Sequence, residues 1–190
     1  MALLPEVVSG TDIVGELTTH AAAELGLKPG TPVVAGGGDV GCVALGSGAF
    51  QEGRGHIYIG TSSWIGITTS EKLLDINHYI ASLRTSVANF NQYTGELQTG
   101  GLALKWAKDI LLDESHTYGD LTALLRQSPP GAKGVLFAPW LQGSRSPFED
   151  AQARGLFFNL GLDHQKADLI RAVFEGVGHH LRWILEAMSK

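Results

Sequence analysis

The sequence has 190 residues, of which 44% are apolar and 17% charged, and this composition predicts a globular chain of one domain or slightly more. Acidic residues outnumber Lys and Arg by 19 to 14, and the basic residues are scattered, which argues against nucleic acid or an acidic membrane surface as a partner. One cysteine, Cys42, excludes an internal disulfide and a thiolate zinc cluster, and it fits a reducing compartment.

The start of the chain carries no signal for export. No apolar run is long enough to span a bilayer, and Pro5 and Glu6 stand where a signal peptide would need a basic stretch and then an apolar one. We therefore expect a cytoplasmic protein.

The first 35 residues predict a helix between two short strands. An edge strand or connector around Ile13-Val14 comes first, and Thr18 or Thr19 then caps a helix that ends at Gly26. Residues 33–35 follow as a buried strand. Helix, turn and strand in this order are typical of an α/β fold.

Three glycines and an acid follow that strand. Gly36, Gly37 and Gly38 let the backbone come close to a ligand, and Asp39 is expected at the strand end, where its carboxylate can face a cleft. Taken alone, this pattern is better explained as a turn with an aspartate cap. Cys42 is predicted to be a small buried filler rather than a reactive thiol, because no basic residue is near it in sequence.

Residues 52–69 predict a β-hairpin whose tip is Gly60-Thr61-Ser62-Ser63. The hydroxyls and backbone N–H groups of such a turn suit phosphate oxygens, although the tetrapeptide alone is weak evidence. Further short strands are expected over 78–83 and 87–92.

The second half of the chain predicts helices. Gly100-Gly101 precedes an amphipathic helix over 102–112, and Thr117 with Asp120 predicts a capping box. A short buried strand over 135–139 and a long polar loop lead to the longest periodic helix, over 165–188. Gly176 inside that helix indicates close packing or the approach of a ligand.

Two residue types invite functional interpretations that we do not favour. Adjacent residues on a helix point in different directions, so His179 and His180 are expected to be solvated or partly buried rather than metal ligands. Trp106, Trp140 and Trp183 are expected to be core or interface anchors.

Five ordered blocks carry a family resemblance: "VVAGGGD", "GTSS", "GGLALKW", "GVLFAPWLQGSRSPFEDAQARG" and "LIRAVFEGV". Together they resemble the FGGY family of carbohydrate kinases, in particular its xylulokinase-like members, over nearly the whole chain. The resemblance implies an actin-like fold of two ribonuclease-H-like domains around a cleft for ATP and sugar. It also implies transfer of the γ-phosphoryl group of MgATP to a sugar hydroxyl, with ATP and Mg²⁺ as cofactors.

The resemblance assigns roles on the sugar side of this reaction. Asp39 matches the catalytic base, which accepts the proton of the attacking sugar hydroxyl. Gly37 and Gly38 belong to the substrate-side loop. Val40 departs from the polar residue usual in xylulokinase-like relatives and cannot hydrogen-bond a sugar, so other pentuloses, hexoses or polyols stay open.

The remaining assignments concern the nucleotide. Gly60, Thr61 and Ser62 match the second phosphate-binding turn, Gly101 matches a glycine along the bound nucleotide, and Lys105 stands one helical turn later. No residue is assigned to a metal. Arg145, Asp150 and Arg154 of the polar loop are expected to serve loop and domain-interface structure, with an Arg-Asp pair holding the loop in shape.

The resemblance also implies a division of the chain. Residues 1–50 match the end of the N-terminal sugar-binding domain, and 51–190 match the first part of the C-terminal nucleotide-binding domain. The family's Asp-x-Gly-Thr and adenine-binding motifs do not occur, so we expect an incomplete fragment with little or no activity. Two alternatives stay open: a non-catalytic module, such as one that forms a homo-oligomer, and another actin-like ATPase.

Overall fold

The computed structural model describes residues 6–87, 89–113 and 115–189. Helices and strands with three small sheets confirm the predicted α/β class. The described residues form two compact units. The first lies within Met1–His56, Ile67–Lys72 and Ser82–Tyr93, and the second within Ile57–Gly66, Leu73–Ala81 and Thr94–Lys190.

The first unit begins with a two-stranded ribbon. Strand β1 (Ile13–Glu16) pairs antiparallel with strand β2 (Pro32–Val34), and helix α1 (Thr19–Leu25) connects them. The Thr18 hydroxyl accepts a backbone N–H of the first turn at 3.2 Å, and Gly26 closes the helix with a φ of 68°. Both ends of the helix lie where the sequence predicts them.

Two burial predictions for this unit are wrong. Strand β2 is exposed along its length rather than buried, because its sheet has only two strands and a ribbon this small shields little side-chain surface. Cys42 is exposed on helix α2 (Asp39–Gly46), whose buried residue is Ala44, because a short helix buries only a narrow stripe.

The largest sheet has five strands in the order β3-β4-β7-β6-β5. Gly60–Ser62 joins the first two strands, which confirms the predicted hairpin and its tip. Strands also occur near the two later segments, although β7 begins at Asn91 rather than Val87. The five strands are β3 (Gly55–Ile59), β4 (Ser63–Thr69), β5 (Leu74–Asp75), β6 (Ile80–Arg84) and β7 (Asn91–Leu97).

The second unit contains the three predicted helices. They are α3 (Gly101–Leu111), α4 (Tyr118–Leu125) and α5 (Lys166–Met188). The capping box that Thr117 and Asp120 predict for α4 is present. No helix in the described ranges combines the length and apolar character needed to cross a membrane.

A two-stranded antiparallel sheet completes the second unit. Strand β8 (Leu136–Ala138) pairs with strand β9 (Leu156–Phe158), and helix α5 packs beside β8. A β-carbon at Gly176 would lie 2.3 Å from the carbonyl oxygen of Phe137, so this glycine allows the close packing that the sequence predicts. The core around this contact includes Ile65, Leu97, Ala103, Ala107, Val135, Phe137, Ala172, Val173, Val177, Leu181 and Ile184.

The long loop after β8 is held differently from the prediction. Arg145 forms its ion pair with Glu96 at 2.9 Å and not with Asp150. Glu96 belongs to strand β7, 49 residues earlier in the chain, so the pair depends on the tertiary fold. The two backbone hydrogen bonds between Ser144 and Asp150 close the loop instead. Arg154 donates to the backbone carbonyls of Ala151 and Ala153.

His180 is buried, with 4% of its surface exposed, rather than solvated or partly buried, because the loop carbonyl of Ser146 contacts its ring. Its Nε2 lies 2.7 Å from the carbonyl oxygen of Ser146, and its Nδ1 lies 3.2 Å from Nε1 of Trp140. His179, its neighbour on the helix, is exposed, as expected for adjacent helical positions.

Candidate functional site

The glycine loop before α2 packs tightly at one position and is open at the next. A β-carbon at Gly37 would lie 1.7 Å from Oγ of Ser86, whereas one at Gly38 would meet nothing within 4 Å. Gly38 also has an ordinary φ of −66°. Packing therefore explains the glycine at Gly37, while nothing in the described part of the chain requires one at Gly38.

Asp39 lies at the first residue of α2, after the loop, and not directly at the end of β2. Its side chain is exposed, and its Oδ1 accepts the Val40 N–H at 2.9 Å. An acidic group in the first turn interacts favourably with the helix dipole. The carboxylate thus keeps one oxygen for a ligand, in a fixed position at the start of a helix.

The hairpin tip holds the start of α3. The Gly101 N–H donates to the Gly60 carbonyl at 2.6 Å, and the Leu102 N–H donates to the Thr61 carbonyl at 3.2 Å. A β-carbon at Gly101 would lie 2.4 Å from the Gly60 oxygen. These first two helical N–H groups are therefore used within the protein, and the hydroxyl group of the exposed Thr61 remains as a donor to a ligand.

Most of the predicted nucleotide residues border one cleft of about 310 Å³ in the second unit. Gly60 and Thr61 line it from the hairpin, and Gly101 and Lys105 line it from α3. Ser62 is adjacent in sequence but does not line the cleft. Gly37, Gly38 and Asp39 belong to the first unit.

The ammonium group of Lys105 is held by an acid on its own helix. Its Nζ bonds Oδ2 of Asp109, and this hydrogen bond raises the pKa of Lys105 and lowers the pKa of Asp109. Lys108 contacts the other carboxylate oxygen at 3.4 Å. An anionic ligand in the cleft would therefore compete with Asp109 for the ammonium group of Lys105.

Sequence reasoning missed the apolar wall of the cleft. Ile59, Leu102, Leu104 and Tyr118 complete the lining. Leu104 is one of the apolar residues of the amphipathic α3, and Tyr118 comes from the next helix, so no local spacing connects Tyr118 with the glycine turn. The lining of the cleft thus combines the polar side chains of Thr61 and Lys105 with apolar side chains that a flat ring can contact.

Metal ligands are not assembled in the described part of the chain, where no group of three or more His, Cys, Asp or Glu side chains could hold an ion.

Similarity to known proteins extends over both units. Residues 1–46 match the N-terminal domain of the FGGY family of carbohydrate kinases, and residues 55–190 match its C-terminal domain. The xylulose kinase of Staphylococcus epidermidis is 34% identical over 188 residues, and the gluconokinase of Bacillus subtilis is 30% identical over 196. These alignments cover 99% and 98% of this chain but 38% of each relative.

Solved structures agree with the sequence matches. A xyloylose kinase from Brucella ovis superposes with a TM-score of 0.84 at 27% identity, covering 97% of this chain and 38% of that one. A ligand-bound xylulose kinase from Lactobacillus acidophilus gives 0.83 at 26%, covering 97% and 37%. The fold is therefore part of the actin-like, ribonuclease-H-like sugar kinase fold that the resemblance predicts, and the chain belongs to the FGGY family of carbohydrate kinases.

Proposed function

We propose that this chain contributes to ATP-dependent phosphorylation of a sugar hydroxyl, with a pentulose such as xylulose as the substrate. The observation that carries the proposal is the match of residues 55–190 to the FGGY C-terminal domain. The 34% identity to a xylulose kinase supports a pentulose, while the gluconokinase relative keeps a sugar acid as the main competitor.

Asp39 is the proposed catalytic base. Its exposed carboxylate, fixed at the start of α2, can accept the proton of a sugar hydroxyl while that hydroxyl attacks phosphorus. Gly38 beside it leaves open space where a sugar can approach the backbone, with Gly37 in the same substrate-side loop. Val40 offers no hydrogen bond, so the sugar must be oriented by other groups.

The cleft in the second unit is the proposed nucleotide site. Its volume of about 310 Å³ lies at the low end for small-molecule sites, and its hydroxyl and ammonium groups suit phosphate oxygens. Thr61 and Lys105 would hold phosphates beside Gly60 and Gly101, and the Ser62 hydroxyl adjoins this turn. When bound, ATP supplies the phosphoryl group, and Mg²⁺ held mainly by its phosphates neutralises their charge.

We further propose that residues 1–50 and 51–190 derive from the two kinase domains and that the protein works in the cytoplasm. The isolated chain is proposed to have little or no turnover, since it spans about 38% of the length of the relatives it matches. Phosphoryl transfer requires both substrates to be positioned together, which depends on the whole active site.

Nucleotide binding can be tested on the 190-residue chain. We expect ATP to raise its melting temperature in a concentration-dependent manner, because a ligand that binds only the folded state stabilises it. Lys105→Ala should reduce this shift. Lys108→Ala is the matched control, since it contacts the same Asp109 but does not line the cleft. No shift with ATP at millimolar concentration would contradict the nucleotide assignment.

A coupled assay for ADP release addresses turnover and sugar choice. Xylulose, gluconate and glycerol are each offered with MgATP, and the isolated chain is expected to give background rates with all three. Rapid turnover that Asp39→Asn abolishes would overturn the proposed inactivity while supporting the base. Turnover independent of any sugar would instead support an actin-like ATPase.

A further inference from the structure

A polar cleft of about 530 Å³ lies in the first unit and has no part in the proposed phosphoryl transfer. Its volume falls within the range of small-molecule sites. The described residues that line it all belong to the first unit, so its walls are complete within one compact part of the chain. We call it the Lys72–Arg84 cleft, and its lining residues are Ser70, Lys72, Ser82, Leu83, Arg84 and Asn91.

The five-stranded sheet brings these residues to one of its ends. Arg84 is the last residue of β6 and Asn91 is the first of β7, and the two strands are neighbours in the sheet. Ser82 lies two residues before Arg84 and therefore on the same face of β6. The side-chain amide of Asn91 donates to the carbonyl of Ser70 at 3.3 Å, which ties the connection after β4 to this end of the sheet. Lys72 belongs to the same connection.

The charge of this cleft is positive. Lys72 and Arg84 are exposed, and neither forms an ion pair with another described residue. Glu71 adjoins Lys72 in sequence, and Glu52 accepts the Ser70 backbone N–H at 2.6 Å, but neither acid is among the described lining residues. Two cations without acidic neighbours in the lining favour an anionic ligand, although the chain as a whole has a formal charge of −5.

The donor groups around the cleft suit a phosphate. The guanidinium of Arg84 is a planar fork that can bond two phosphate oxygens at once, and the ammonium of Lys72 supplies a second, compact positive charge. Ser70 adds a hydroxyl group to the lining. The cleft is also much larger than a phosphate ion, so it has room for the organic part of a phosphate ester.

We propose that the Lys72–Arg84 cleft binds a phosphate dianion, carried by a small phosphate monoester or free in solution. Arg84 bonds the phosphate oxygens, and Lys72 balances the second negative charge. This site is separate from the proposed nucleotide cleft, which belongs to the second unit and contains Lys105. The proposal is independent of the kinase assignment.

Isothermal titration calorimetry of the 190-residue chain tests this binding, with glucose 6-phosphate, inorganic phosphate and glucose as the probes. We expect both phosphates to bind and glucose not to bind. Tighter binding of glucose 6-phosphate would identify a monoester as the ligand, and equal affinity would show that the phosphate ion suffices. Binding should weaken between about 50 and 500 mM NaCl, because salt screens the two exposed cations.

Paired substitutions locate the site. Lys72→Gln combined with Arg84→Gln should raise the dissociation constant for glucose 6-phosphate at least about tenfold. Lys28→Gln combined with Arg54→Gln is the matched control and should change it less than about twofold, since it removes the same charge from exposed residues of the first unit that do not line the cleft. Lys105→Gln should also leave it unchanged.

Amide chemical shifts of the unsubstituted protein provide a second measurement that does not depend on the fold of any variant. Adding glucose 6-phosphate should shift the amide signals of Ser70, Arg84 and Asn91 more than those of Thr61 and Gly101. The proposal would be overturned if neither phosphate binds, if the double substitution leaves binding unchanged, if the control pair weakens binding equally, or if the shifts are confined to the nucleotide cleft.

Discussion

At the scale of single residues, two neighbouring glycines before α2 are expected to respond differently to substitution. In Gly37→Ala the new β-carbon would lie 1.7 Å from Oγ of Ser86, which can rotate away, and 3.0 Å from its Cβ, which cannot, so we expect the free energy of unfolding to fall by about 1 kcal/mol. Gly38→Ala meets nothing within 4 Å and should change it by less than about 0.5 kcal/mol. Urea denaturation of both variants measures the difference.

A compensating substitution tests whether Ser86 is the cause. Adding Ser86→Ala to Gly37→Ala removes the clashing oxygen and should recover part of the lost stability, whereas Ser86→Ala alone should have a small effect. Equal destabilisation by Gly37→Ala and Gly38→Ala would show that this account of the loop is incorrect.

A second residue-scale prediction concerns His180 and pH. The Trp140 N–H can only donate, so Nδ1 must be its unprotonated acceptor, and Nε2 then donates to Ser146. Burial lowers the pKa of His180 below its ordinary 6.5, partly offset by the bond to Ser146. The unfolded chain therefore binds the proton more readily, and the free energy of unfolding should decrease as pH falls through about 6.5.

Denaturation midpoints between about pH 5 and 8 check this dependence. His180→Gln keeps a side-chain donor for Ser146 but cannot titrate, so its stability should fall less on acidification. Because burial also lowers the pKa of His56, the informative quantity is the difference between the parent and the variant. His20→Gln, at an exposed histidine, serves as the control, and parallel pH curves for parent and His180→Gln would refute the prediction.

At the scale of elements, helix α5 contains two glycines with opposite surroundings. Gly176→Ala would force a β-carbon to 2.3 Å from the Phe137 carbonyl of β8, and backbone cannot yield easily there. We expect a loss of about 1–3 kcal/mol despite better helix propensity. Gly178→Ala meets nothing within 4 Å and should gain about 0.5–1 kcal/mol. Thermal unfolding of both variants should show shifts of opposite sign.

Elements with local signals could be predicted from the sequence. Thr18 and Gly26 mark the ends of α1, Thr117 marks the start of α4, and the apolar period of α5 gives its full extent. Each signal depends on residues three or four positions apart. The close packing at Gly176 could also be predicted, because a glycine inside a periodic helix indicates a close contact even when the contacting residue is unknown.

Features that depend on distant partners could not be predicted. The partner of Arg145 lies 49 residues earlier, and the burial of His180 depends on a loop 34 residues away. The apolar sequence of β2 does not show whether another helix or sheet covers this strand. In the candidate site, the family resemblance pointed to Gly60, Thr61, Gly101 and Lys105 at one cleft, but nothing in the sequence linked Tyr118 to them.

At the scale of the whole molecule, the two units differ in how much they bury. In the first unit, β1 and β2 are exposed throughout, and the buried residue of α1 is Ala22. In the second, α5 buries eleven residues, most of them apolar and several in a continuous core. Segments with few buried contacts open at low free-energy cost. The chain should therefore open first around its ribbon.

Hydrogen exchange measured by mass spectrometry tests this difference directly. We expect backbone amides in residues 13–34 to exchange roughly a hundredfold faster than those in residues 166–188 under native conditions. Gly176→Ala, which lowers the stability of the α5 packing, should speed exchange in 166–188 and leave 13–34 unchanged. Similar rates in both segments, or equal acceleration of both by the variant, would show instead that the two units open as one cooperative structure.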